Sequence, residues 1–260
     1  MCLILIAKNR HPQWNLVIAA NRDEFYQRPA SIANYWQDRS HLLAGRDLTA
    51  GGTWLGVDLC GRIAAITNVR QVPLLNGQRS RGELVCEFLD YQHNVEDFTP
   101  QHSLQDYGGF NLLIDDGQHA RCLSNRNPSQ SLGDGIFGLS NAGLETPWPK
   151  VERGKALLSQ ALDSTDISSS LFALLRDDFS AKDEDLPDTG VGIELERLLA
   201  PIFIQSPDYG TRASTVVLRS SEELLFIERS YAADGSMANE AAFRLSLPKT
   251  GTSDSSLADE

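Results

Sequence analysis

The apolar segments of this chain come in pairs, each joined by a tight turn, and this pairing limits the available folds more than any other feature. Residues 3–7 and 16–20 flank Asn9-Arg10-His11-Pro12, residues 54–59 and 62–67 flank Cys60-Gly61, and residues 110–115 and 119–124 flank Asp116-Gly117. A fourth pair, 214–219 and 224–229, precedes a last apolar stretch at 243–247. Short apolar runs separated by turn formers read as β-hairpins, and Asp-Gly is a strong signal of this kind. Leu3-Ile4-Leu5-Ile6-Ala7 shows no polar alternation, so its strand is expected to be covered on both faces. Helical signals fall between the hairpins. Ser80-Arg81-Gly82-Glu83 has the capping-box pattern ahead of Leu84, Val85, Phe88 and Leu89. Residues 149–163 place Val151, Leu158 and Leu162 on one helical face, residues 168–178 suit a helix capped by Ser168, and residues 192–199 suit one ended by Pro201. Antiparallel hairpins with segregated helices predict an α+β or sheet-sandwich protein rather than a doubly wound parallel sheet. Gly51-Gly52 and Gly108-Gly109 match no phosphate-loop spacing. A single domain is expected over residues 1–247, followed by a polar, acidic, disordered tail at 248–260.

Charge and cysteine usage narrow the function. With 23 Lys+Arg against 35 Asp+Glu the formal net charge is −12, which disfavours nucleic acid and anionic membranes as partners. No apolar run approaches the roughly 20 residues a membrane-spanning helix needs, so the chain is not expected to be an integral membrane protein. The four cysteines, Cys2, Cys60, Cys86 and Cys122, form no CxxC pair and fit no zinc spacing. Free thiols and no signal sequence give a cytoplasmic expectation. The five histidines, His11, His41, His93, His102 and His119, follow no metal-ligand spacing.

The residue with the most suggestive chemistry is Cys2. Removal of Met1 exposes a residue that carries both a thiol and a free α-amine. A thiol is nucleophilic once a base activates it, and an α-amine titrating near pH ~7.7–8.0 is such a base. The first hairpin brings Asn21-Arg22-Asp23-Glu24 back to the start of the first strand. In extended chain Asn21 and Asp23 share one face and Arg22 and Glu24 the other.

Taken in order, several segments resemble the NRDE family, also called the transport-and-Golgi-organisation family. They include Met1-Cys2-Leu3, Ala20-Asn21-Arg22-Asp23-Glu24-Phe25, Arg28-Pro29, Ala44-Gly45-Arg46-Asp47 and Gly51-Gly52-Thr53-Trp54-Leu55-Gly56. Ala65-Ile66-Thr67-Asn68, Ser80-Arg81-Gly82, Gly109-Phe110-Asn111-Leu112-Leu113, Leu139-Ser140-Asn141, Thr146-Pro147-Trp148-Pro149-Lys150 and Tyr209-Gly210-Thr211-Arg212 continue it. The resemblance implies a four-layer αββα sandwich of the N-terminal-nucleophile hydrolase type. It also implies a link to haem trafficking and, in eukaryotes, to Golgi and lipid phenotypes. A more distant likeness is to choloylglycine hydrolases and penicillin V acylases, which cleave linear amides. Cys2, Asn21 and Asp23 match that branch, whereas Ala20 stands where it has an arginine. That likeness implies Cys2 as nucleophile, Asp23 as the carboxylate that orients its amine, and Asn68 and Asn141 as oxyanion donors. Arg212 is the candidate late arginine, and Asn21, Arg22 and Trp54 are candidates for binding substrate. Two functions follow as expectations. One is hydrolysis of a small-molecule amide without a cofactor; the other is non-catalytic carriage of haem or an acyl lipid.

Overall fold

A computed structural model describes residues 2–70, 72, 77–90 and 94–248, with Cys2 described through its backbone pairing. The assigned tail lies outside the described residues from position 249 on. Two antiparallel sheets form the centre. The first consists of β1 (Cys2–Lys8), β2 (Leu16–Phe25), β10 (Gly135–Leu139), β11 (Tyr209–Arg219), β12 (Glu223–Tyr231) and β13 (Met237–Ser246), in the order β10-β1-β2-β11-β12-β13. The second contains β3 (Ala30–Trp36), β4 (Arg39–Asp47), β5 (Leu55–Asp58), β6 (Ile63–Asn68), β7 (Phe110–Asp115), β8 (Ala120–Ser124) and β9 (Gln130–Leu132), in sequence order.

Covering on both faces explains the unbroken apolar runs. On β1 and β2, Ile4, Ile6, Leu16 and Ile18 enter the core between the sheets with Leu55, Val57, Leu113 and Phe226. Their neighbours Leu3, Leu5, Val17 and Ala19 face the other way, against α2 (Pro149–Ala161) and α3 (Ile167–Leu175). On the far side α1 (Gly82–Asp90) lays Leu84, Val85, Phe88 and Leu89 on the outer face of the second sheet, against Leu42, Ala64, Leu112 and Ile114. The result is the expected α+β protein with αββα layering.

All four anticipated hairpins are present, but several boundaries move. The second strand continues through the charged segment to Phe25, because β1 pairs with it as far as Arg22 and β11 pairs with it on to Phe25. The α3 helix starts earlier than expected, and Asp166, not Ser168, accepts the Ser169 N–H at its start (3.1 Å). A short α4 (Ile193–Leu199) follows Gly192, whose φ of +87° suits glycine. The β3–β4 pair was not anticipated; it shifts register between Ser31 and Asn34 and alternates poorly in burial.

Candidate functional site

The site lies where β1 begins and β2 ends. The turn between them sets the register, and Cys2 pairs opposite Arg22 while Leu3 pairs opposite Asn21. Strand alternation then divides the acidic-basic segment. Asn21 turns to the helical layer, where its Nδ2 donates to the Leu175 and Ile202 carbonyls (2.9 and 2.8 Å) and its Oδ1 accepts from Ser214 Oγ (2.6 Å). Arg22 turns inward and lines a cleft of about 410 Å³.

One wall of that cleft comes from Arg22, Asp23, Glu24 and Arg28, with Asp47 at the end of β4. Asn68 at the end of β6 and Ser80, Arg81 and Gly82 at the start of α1 also line the cleft. Trp54 forms part of the floor, with the Arg22 guanidinium 4.5 Å from its ring centroid. Gly52 lets the loop press on the helix end: a Cβ there would lie 2.6 Å from the Gly82 carbonyl carbon.

Asp23 is almost fully buried, and its Oδ1 accepts from Thr211 Oγ1 at 2.7 Å. Burial pushes its carboxyl above the usual range, while Lys150, the Thr211 hydroxyl and Arg22 work against the rise. Asp47 shows the opposite outcome. Burial pushes it up, but the Arg28 hydrogen bond, the Ala50 N–H and the charges of Arg28 and Arg22 outweigh burial and hold it below the usual carboxylate range. Its Oδ2 is shared by Arg28 Nε (2.7 Å) and Arg22 Nη2 (3.2 Å).

The remaining candidates stand back from the cleft wall. Asn141 is fully buried behind Asn68, and its Nδ2 donates to the Asn68 carbonyl (2.8 Å). Its own carbonyl accepts from the Arg70 N–H (2.7 Å). Arg70 is paired with Glu196 and stacks on Trp148, with its guanidinium 4.8 Å from the ring centroid. Arg212 sits where β11 slips register against β2, between Thr211 and Ala213. From that bulge its Nη1 donates to the carbonyls of Phe25 (3.1 Å), Tyr26 (2.7 Å) and Arg28 (3.2 Å). It braces the turn after β2 and is not among the described residues lining the cleft.

Sequence reasoning passed over three contributors. Thr211 stands opposite Asp23 in the β11–β2 ladder, and pairing the Tyr-Gly-Thr-Arg segment with Asn-Arg-Asp-Glu would have revealed it. Asp47 comes from an unanticipated strand. Lys150 is buried with its Nζ on the Leu199 carbonyl (3.0 Å), and no local pattern marks a lysine for burial. Among the described residues, no three His, Cys, Asp or Glu side chains gather as a metal site, and no helix is long and apolar enough to cross a membrane.

Two facing antiparallel sheets between helical layers, with the first strand opening at a polar cleft, define the class: this is the fold of the N-terminal-nucleophile hydrolases. The C2A mutant of a conjugated bile acid hydrolase from Clostridium perfringens superposes with a TM-score of 0.51 at 10% identity, over 94% of this chain and 92% of that one. The N-acylethanolamine-hydrolyzing acid amidase ortholog of Caenorhabditis elegans gives 0.50 at 12% identity, over 84% and 92%. At the level of sequence, the family model described as Transport and Golgi organisation 2 matches residues 1–233. The Transport and Golgi organization protein 2 homologs of Bos taurus and Homo sapiens are each 35% identical, over 88% of this chain and 93% of theirs. The chain belongs to the Transport and Golgi organisation 2 family.

Proposed function

We propose that this protein is an amidohydrolase that uses Cys2 as an N-terminal nucleophile on the linear amide bond of a small acylated molecule. The observation that carries this reading is the register of the first hairpin. It sets Cys2 opposite Arg22 at a cleft that Asp23 and Asn68 also line. The two fold neighbours support it at the level of chemistry, since both are named as hydrolases and one as an amidase.

After loss of Met1, the α-amine of Cys2 accepts the thiol proton as sulfur attacks the amide carbonyl. A C–S bond forms, and the Asn68 amide faces the developing oxyanion. Collapse breaks the C–N bond, and the α-ammonium returns its proton to the leaving amine. Water then attacks the thioester, giving its proton to the amine and its oxygen to the acyl carbon, and the thiol is regenerated. Asp23, held by Thr211, orients the ammonium. Asn141 acts one bond behind Asn68 by fixing its backbone.

A haem carrier on the same scaffold is the second reading. The described lining residues of the cleft include no histidine, cysteine, methionine or tyrosine to ligate iron, so no step is assigned to haem.

The test is intact-mass analysis followed by an electrophilic β-lactone probe. The expected result is a chain lacking Met1 that takes up one probe molecule, and no uptake in Cys2→Ala. A mature protein that keeps Met1 has no cysteine amine, and that result would sink the mechanism.

A further inference from the structure

Four arginines line the cleft against three carboxylic acids, in a protein whose formal net charge is −12. The basic excess is therefore local. Arg79 is paired with Glu83 outside the lining, whereas Arg22 and Arg28 are incompletely neutralised. A single oxygen of Asp47 serves both Arg22 and Arg28, and Glu24 lies farther from them, at 4.0 and 3.8 Å. Arg22 has a side chain only 6% exposed, yet its Nη1 makes no hydrogen bond among the described residues. The indole Nε1 of Trp54, whose ring lies under that guanidinium, makes none either. A buried guanidinium nitrogen left without an acceptor is costly, so its retention at a cavity wall points to an acceptor supplied from outside. The same cleft is lined by the amino end of the nine-residue α1, with Arg81 beside it donating to the Gly109 carbonyl (3.2 Å). Helix amino ends favour anions, and planar guanidinium groups favour carboxylate or phosphate oxygens.

We infer that the cleft selects substrates bearing an oxyanion, a carboxylate or a phosphate, seated between Arg22 and the amino end of α1. This deepens the amide-cleavage reading and rests on it only for the bond that is cut. Asp47 holds Arg22 and Arg28 in place while leaving part of the Arg22 fork to the ligand.

The experiment is calorimetric titration of the full chain carrying Cys2→Ala, so that no ligand turns over. Three ligands share one acyl chain: N-dodecanoylglycine, its neutral glycinamide and N-dodecanoyl-O-phosphoethanolamine. At least one charged ligand is expected to bind about ten-fold more tightly than the neutral one, and which of the two binds better identifies the oxyanion. That preference is expected to vanish in Arg22→Gln and to shrink in Arg81→Gln, while Arg244→Gln on the far surface keeps it. If Arg22→Gln fails to fold, Arg81→Gln decides. Equal affinity for all three ligands, or a preference that survives both cleft substitutions, overturns the inference. Probe uptake by the unsubstituted chain separates the two claims. Uptake without anion preference removes only the anion site, and anion preference without uptake removes only the hydrolysis.

Discussion

Two clusters of buried charge sit at opposite ends of the first hairpin and are built on different terms. At one end, around Lys8, the Asp115 carboxylate takes Arg219 Nη1 at 2.5 Å and the Gly117 N–H at 2.8 Å, and faces Lys8 Nζ at 3.6 Å. Arg219 also donates to the Gly61 carbonyl (3.0 Å) and to Asn15 Oδ1 (3.3 Å). At the other end, around Cys2 and Arg22, one oxygen of Asp47 serves two guanidinium groups, Arg22 Nη1 makes no hydrogen bond among the described residues, and a cavity lies beside them. The same residue types thus close one end of the sandwich, where Asp115 Oδ2 has no hydrogen bond among the described residues and only Lys8 at ion-pair distance, and line a cavity at the other. The closed end sets its charges directly against one another; the open end hangs Arg22 and Arg28 on one carboxylate oxygen beside a cavity.

Breaking the closed end gives the largest expected effect. Arg219→Met leaves Asp115 buried with Lys8 as its remaining cation and the Gly117 N–H as its remaining donor, and loss of one partner from a buried ion pair costs roughly 3–5 kcal/mol. Chemical denaturation is the measurement. Probe uptake by the folded fraction is expected to stay unchanged, because Arg219 lies at the far end of β2 from Arg22. A loss below about 1 kcal/mol would put the pair in the class of surface bridges and dissolve the contrast between the two ends.

The next effect belongs to Glu228, which bridges the sheets next to the open end. Its Oε1 accepts the Ala33 N–H (2.7 Å) and its Oε2 the Thr215 hydroxyl (3.2 Å). Burial pushes its carboxyl up to about 7 from an ordinary 4.5, against the pull of these hydrogen bonds and of Arg22. A folded-state pKa above the unfolded one means that the native state holds its proton longer. Stability is therefore full below pH 4.5, falls as pH rises towards 7, and is level above that. The fall is on the order of 3 kcal/mol. Glu228→Gln is expected to flatten this slope in denaturation curves recorded across the window, and an unchanged slope would reject the assignment.

Much of this site was legible because hairpin geometry is local. The Asn9-Arg10-His11-Pro12 turn was enough to bring residues 21–24 beside Cys2, and alternation correctly sent Asn21 and Arg22 to opposite faces. What stayed hidden depends on strands whose pattern is not periodic. The β3–β4 pair slips register near Ala33, and its irregular burial hides it from alternation. That slip is also where the Ala33 N–H turns to Glu228. The roles of Asp47 and Glu228 were lost together, since both depend on those two strands. The setting of Arg212 was hidden for a related reason: it sits at a bulge in β11 with its side chain on backbone carbonyls, and a bulge leaves no mark in composition.

Arg212 offers the smallest effect and the finest division between scaffold and site. Its three acceptors are carbonyls of the turn that carries Arg28 to Asp47. The side chain is only partly buried, so water replaces much of what Arg212→Ala removes, and a cost of about 1 kcal/mol is expected. In a chain of this size that lowers Tm by roughly 2–4 °C. Loosening the turn also frees Arg28, so the preference for a charged ligand is expected to weaken several-fold in titration, while acylation of Cys2 by a neutral probe is kept. Arg212→Lys should recover little, because one flexible ammonium lacks the rigid fork that spans the turn. A loss of probe acylation equal to the loss of anion preference would instead make Arg212 part of the reacting centre. The open end would then extend one strand further than its lining residues indicate.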